Sequence, residues 1–197
     1  ATWMRRIGPI ERDFSKPFDP VDALANAILY QQLSGKAAAT IVARVVALMP
    51  RKRIDAAGIA AQSDEALRGA GVSRNKIAAL RDLAVKAQHG IVPDARGLAR
   101  MSDQEAIEHL TQVRGIGRWT VEMLLMARLG RPDILPVDDL GIRKGAQVVH
   151  GWEEPPKPKA LAEFGERWGP YRTLASFYLW RVAEAAQPAA PVRRSQD

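Results

Sequence analysis

The chain has 197 residues, 47% of them hydrophobic, and its 29 Lys and Arg outweigh 22 Asp and Glu for a net charge of +7. That length suits one large domain or two small lobes with a proper core, and the lack of cysteine excludes disulfides, a Cys-based zinc site and an iron–sulfur cluster. No run of about 18 uninterrupted apolar residues occurs, so no membrane span is expected, and the basic balance favours an acidic partner, nucleic acid first.

At the N-terminus Arg5 and Arg6 are followed by Gly8 and Pro9 rather than by an apolar run, so no signal peptide is read there and a cytosolic location is expected. Asp19-Pro20 reads as an N-cap with proline in the first turn of a helix over about 21–32. Ser34-Gly35 marks a boundary, and 37–49 reads as a helix ended by Pro50. Ser63, Ser73 and Ser102 each precede helical runs. Gly71 separates two of them, Gly90 closes the one that Ser73 opens, and Pro93 marks a turn.

Ser102 with Glu105 matches a capping box, and Ala106, Ile107, Leu110 and Val113 recur at helical spacing. Arg114-Gly115-Ile116-Gly117 breaks that helix, because two glycines one residue apart permit backbone angles that other residues resist. A further helix carries Trp119, Met123, Leu124 and Met126 and ends near Gly130. Gly169-Pro170 opens a last helix through about Ala186, followed by a loose tail at 188–197. Strand patterns are scarce, residues 153–158 form a loop rather than a linker, and no internal repeat stands out. The expectation is an all-α fold of nine or ten helices.

A glycine turn at the start of a helix can hold a phosphate. Unpaired N–H groups and the positive end of the helix dipole face the anion, and the missing side chains let it come close. Alone, G-x-G is a weak signal. Here an apolar residue precedes the first glycine by two positions, another lies between the glycines, and Arg118 follows directly. About two dozen residues on, Leu135-Pro136-Val137-Asp138-Asp139 supplies carboxylates ahead of another helix. Spacing does not separate Asp138 from Asp139, and one of the pair is expected to cap that helix. The basic residues, among them Arg44, Arg51, Lys52, Arg53, Arg74, Lys76, Arg114, Arg118, Arg143 and Lys144, are spread out, which suits backbone binding without sequence readout.

The whole pattern, Val113-Arg114-Gly115-Ile116-Gly117-Arg118-Trp119-Thr120 followed by the carboxylates, resembles the helix-hairpin-helix DNA glycosylase superfamily, which includes endonuclease III. Its Gly-Ile-Gly-Arg-Trp-Thr wording is most similar to the 3-methyladenine DNA glycosylase II branch. The resemblance covers about 19–184. It implies a two-lobed fold with a central cleft, one lobe at about 21–127 and the other made of the N-terminal segment plus about 139–187. The chain departs from those superfamily members that carry an iron–sulfur cluster.

The resemblance also implies roles for residues. Asp139 matches the catalytic acid, which in the family stands just before the apolar residue leading into the next helix; Asp138 is second choice. Gly115 and Gly117 match the phosphate grip, with Arg118 and Lys144 as weaker candidates for it. Gln32 falls on the position that plugs the duplex behind a flipped base, with Leu33 as the alternative. Trp119 stands where bifunctional relatives carry a lysine nucleophile, and an indole forms no Schiff base, so a monofunctional enzyme is expected. Trp180 matches a tryptophan of the base pocket, walled also by Trp119, while Met123 and Leu140 stand where the branch has tyrosines. Alkylated purines carry positive charge, and aromatic faces attract cations by roughly 0.5–2 kcal/mol.

The implied activity is hydrolysis of the N-glycosidic bond of N3-methyladenine and N7-methylguanine in double-stranded DNA, leaving an abasic site. The implied setting is a monomer in the cytoplasm, at a bacterial nucleoid, with no membrane. No redox or metal cofactor is implied; relatives can hold a monovalent cation, Na or K, on main-chain carbonyls that correspond to Thr111, Val113 and Ile116. The alternatives are a non-catalytic helix-hairpin-helix DNA-binding module and a bifunctional lyase for oxidised bases. A metal hydrolase is disfavoured, because His89, His109 and His150 are dispersed and form no ligand spacing.

Overall fold

Short polar caps and prolines divide the sequence into helices and leave no strand among the residues that the structure, a computed structural model, describes: 2–186. The tail expected at 188–197 lies outside the described residues. In chain order the helices are α1 (Thr2–Ile7), α2 (Pro20–Tyr30), α3 (Gly35–Leu48), α4 (Ala56–Ala61), α5 (Asp64–Gly69), α6 (Arg74–Gln88), α7 (Ala95–Arg100), α8 (Asp103–Leu110), α9 (Arg118–Arg128), α10 (Leu140–His150), α11 (Pro158–Gly165) and α12 (Arg172–Ala186), with a 3-10 turn at Glu166–Trp168.

Side-chain oxygens of Asp19, Ser34, Asp55, Ser63, Ser73, Asp94, Ser102 and Asp139 each accept a first-turn amide of the helix they precede. Both arms of the Ser102–Glu105 capping box are formed. The expected count of nine or ten helices is too low for the described residues. α1, α4 and α7 have six residues each, fewer than two turns, and periodicity over so short a span does not register. α2 stops at Tyr30 rather than Gln32, because Gln31 leaves helical angles (ψ 134°) and Gln32 takes a positive φ of 56°.

The chain forms two compact units, Phe14–Leu129 and Ala1–Asp13 with Gly130–Asp197. In the first, α6 packs against α2, α4 and α5, and α8 against α9, over a core that buries Leu24, Ile28, Leu29, Leu80, Leu110 and Leu125 completely. Each such side chain contributes about 1.5–3 kcal/mol by leaving water. In the second, Ile142, Ala146, Leu161 and Leu179 form the core, with Leu135, Trp152 and Trp168 packed around them. Arg172 at the start of α12 pairs with Asp133 through two hydrogen bonds of 2.7 Å and, chiefly by these, holds the Asp133 carboxyl below its ordinary pKa.

α10 and α12 form the main contact of this unit. A Cβ on Gly145 of α10 would stand 2.0 Å from the Leu179 carbonyl oxygen, and backbone cannot turn aside as a side chain can. Gly145→Ala is therefore expected to lower stability by at least about 2 kcal/mol. Urea unfolding would read this as a lower midpoint at unchanged slope, and a midpoint equal to wild type would contradict the packing.

Candidate functional site

The glycine turn is anchored by its apolar residues. Val113 and Ile116 are buried, and the Ile116 amide donates to the Val113 carbonyl at 3.0 Å, closing a tight turn after α8. Gly115 takes φ +79°, the left-handed region in which a side chain is strained. Gly117 caps α9 with backbone alone: its carbonyl accepts the amides of Thr120 (3.0 Å) and Val121 (3.3 Å). Where α2–α8 and α10 have a side-chain oxygen at their N-termini, α9 has none. No side chain competes there with an external anion for the positive end of the helix.

Two carboxylates trim this turn. Asp82 on α6 accepts the Arg114 amide at 2.7 Å and pairs with Lys86 at 2.7 Å. Burial alone would raise its pKa, but the hydrogen bonds and positive charge of Lys86 and Arg114 together hold it below the ordinary value. Glu122, only 5% exposed, accepts from Arg118 Nε at 2.8 Å. That commits one donor of a guanidinium group which is otherwise 57% exposed.

In the same unit a concavity of about 660 Å³ is lined by Gln32, Trp119 and Met123, joined by Tyr30, Asn26 and Arg128. Trp119 is 47% exposed, so it is no core residue. Leu33, 40% exposed, does not line the concavity. The turn that carries Gln32 is tied down from two sides. Gln31 Nε2 donates to the Gly115 carbonyl at 2.8 Å, and Lys76 Nζ donates to the carbonyls of Leu29 (2.7 Å) and Gln31 (2.8 Å). Burial of its ammonium lowers the Lys76 pKa.

In the other unit Asp139, not Asp138, is the N-cap of α10. Its Oδ1 accepts the Ile142 amide at 2.9 Å and the Trp180 indole N–H at 2.8 Å. Gly141 makes room for that indole: a Cβ there would stand 2.9 Å from Trp180 Cδ1. Asp138 and Lys144 are exposed, and Leu140 is 53% exposed. Among the described residues no group of three or more His, Cys, Asp or Glu could hold a metal ion, and no helix is long and apolar enough to cross a membrane.

The structure thus groups Gln32, Trp119 and Met123 around one concavity beside the glycine turn, and groups Asp139 with Trp180 at the start of α10. Gln31, Lys76, Asp82 and Glu122 were not singled out from the sequence for these contacts. Glu122 alone had a local signal, an i, i+4 spacing from Arg118.

Comparison with known proteins adds a family. The model of the HhH-GPD superfamily of base excision DNA repair proteins matches residues 25–170. The chain is 37% identical over 176 residues to DNA-3-methyladenine glycosylase 1 of Schizosaccharomyces pombe, covering 89% of this chain and 77% of that protein. A solved structure of the Schizosaccharomyces pombe 3-methyladenine DNA glycosylase in complex with abasic DNA is similar at TM-score 0.82 and 34% identity, over 94% of this chain and 91% of that one. The DNA-3-methyladenine glycosidase of Bacillus halodurans is similar at TM-score 0.84 and 37% identity, over 92% and 82%.

The Asp82 contacts make a pH prediction. Because its folded pKa lies below the ordinary value of about 3.9, its stabilisation is present above that value and lost as pH falls through the lowered one. Thermal melts should show Asp82→Asn less stable than wild type near neutrality, with the gap closing as pH falls below about 4. A gap as wide at the acid end as at neutrality would refute the assignment.

Proposed function

As the chain belongs to the HhH-GPD superfamily of base excision DNA repair proteins, we propose that it is a monofunctional DNA glycosylase that excises alkylated bases and leaves an abasic site. Its substrates in this reading are N3-methyladenine and N7-methylguanine in double-stranded DNA, and it acts as a monomer at the nucleoid in the cytoplasm. The observation that carries the reading is the Asp139 carboxylate, fixed through one oxygen by the Ile142 amide and the Trp180 indole.

The lesion must leave the base stack before it can react. Gln32, with Leu33 as the alternative, fills the gap. The amides around Gly115 and Gly117 hold a phosphate at the uncapped start of α9, and Arg118 and Lys144 are secondary ligands. Trp119 offers an exposed indole face in the concavity shared with Met123, and a cationic purine gains from that face. Trp180 and Leu140 are the base contacts proposed on the other unit.

A base alkylated at N3 or N7 already carries positive charge. The bond from its nitrogen to C1′ therefore breaks with both electrons going to the base, which departs neutral without an enzyme proton. The oxocarbenium-like sugar left behind is stabilised by the negative charge of Asp139. A water bonds to C1′ and gives up its proton to that carboxylate, which passes it to solvent. No amine stands at position 119, so no Schiff base forms there and the strand stays uncut.

A monovalent cation on the carbonyls of Thr111, Val113 and Ile116 belongs to this proposal. The Val113 oxygen accepts the Ile116 amide and keeps a second lone pair, and neutral carbonyls suit a weakly charged hard ion. Such an ion would add positive charge at the phosphate grip.

Asp139→Asn removes the charge and keeps the cap, because asparagine caps a helix as well as aspartate and its oxygen still accepts from Trp180. The variant should bind abasic-site DNA like wild type and release N7-methylguanine about 100-fold slower or worse. Wild-type release by the variant would end the assignment, and strand cleavage by wild type without alkali would point to a lyase instead.

A further inference from the structure

Within the unit Phe14–Leu129, three residues of α6 three positions apart face two loops that are distant in sequence. Lys76 Nζ holds the last carbonyls of α2, those of Leu29 and Gln31. Ala79 lies 3.7 Å from where a Gly115 Cβ would stand, and Asp82 accepts the Arg114 amide at 2.7 Å. Gln31 then closes the circuit by donating its side-chain amide to the Gly115 carbonyl at 2.8 Å. The residue directly after the Gln31 attachment is Gln32, held at φ +56°. A residue with a Cβ resists that conformation, and it persists only where its surroundings enforce it.

We infer that Lys76 and Gln31 are positioning residues which lock the Gln32 turn to the glycine hairpin, so that gripping the phosphate also aims the side chain that replaces the flipped base. The inference deepens the glycosylase reading and rests on it. Neither residue touches the reacting atoms. Their work is to keep the plug in register, and it matters only when a base pair must be opened and its gap filled.

The half-buried Lys76 ammonium suits this task for two reasons. A cation favours the negative end of α2, and one nitrogen with three donors can serve two carbonyls that no longer have helical partners. Burial of the ammonium also lowers its pKa.

The test compares two substrates, N7-methylguanine paired with cytosine and the same lesion opposite a tetrahydrofuran abasic site, where no pair has to be broken. Lys76→Met and Gln31→Leu should each slow release from the paired substrate about tenfold or more and from the unpaired one less than about twofold, since an unpaired base needs least energy to leave the stack. Gln31 is an exposed side chain, so Gln31→Leu decides the matter alone should Lys76→Met fail to fold. Equal slowing on both substrates, or slowing on neither, would overturn the positioning role. Wild-type enzyme inactive on both would overturn the glycosylase reading itself.

Discussion

Two missing side chains on α10 decide how the acid at its start is held. At Gly145 the backbone of Leu179 comes closer than any Cβ would allow, and one turn earlier, at Gly141, the next residue, Trp180, lays its indole against the helix. That approach brings the indole N–H to Asp139, whose same oxygen already caps α10 through the Ile142 amide. With two donors converging on one oxygen, the carboxylate cannot rotate without losing both. Close packing, which tolerates little error, thus helps set the orientation of a charged group.

The other unit solves a related problem with charge. α2 ends beside a turn whose central residue, Gln32, adopts a left-handed backbone, at a cost of about 1–3 kcal/mol. Hydrogen bonds to charged groups contribute about 1.5–3 kcal/mol each where they are shielded from water. The bond from Lys76 to the part-buried Leu29 carbonyl is therefore of the right size to offset the strained residue. α6 serves as the common support, with Lys76 at one loop and Asp82 at the other. The same helix packs Leu80 and Leu83 into the core, so both loops are referred to one support.

Much of this was legible in the sequence, and the pattern of success follows from range. Caps are local, so Asp19, Ser34, Ser63, Ser73 and the Ser102–Glu105 box could be read directly, each needing only a polar residue ahead of an apolar run. The all-α fold followed from the same periodicity. The break at Gly115 and Gly117 was visible because two glycines in a helical run have few other uses. What could not be read were contacts between residues far apart in the chain: Lys76 with Leu29, Asp82 with Arg114, Gln31 with Gly115. A lysine or glutamine on a helix looks alike whether it faces water or another loop. The same holds for Trp180, whose apolar bulk could be counted but whose N–H had no visible acceptor. Asp138 and Asp139 were inseparable by spacing, and only the α10 geometry assigns the cap to Asp139.

The distribution of positive charge explains why selection in the proposed reaction must fall on the base. In that reading, a net charge of +7 spread over many surface positions, with the proposed phosphate grip of backbone amides, would hold any stretch of duplex about equally well. Such a grip carries no information about which nucleotide is damaged. Discrimination then rests on two properties of the lesion: how readily it leaves the stack, and how well an electron-poor ring sits against indole. The positive charge of an alkylated purine strengthens the aromatic contact and also makes the base a good leaving group once it is flipped. The same positive charge removes the need for a general acid, so in the proposed reaction one well-held carboxylate is chemically sufficient for base release, with no nucleophilic amine called for.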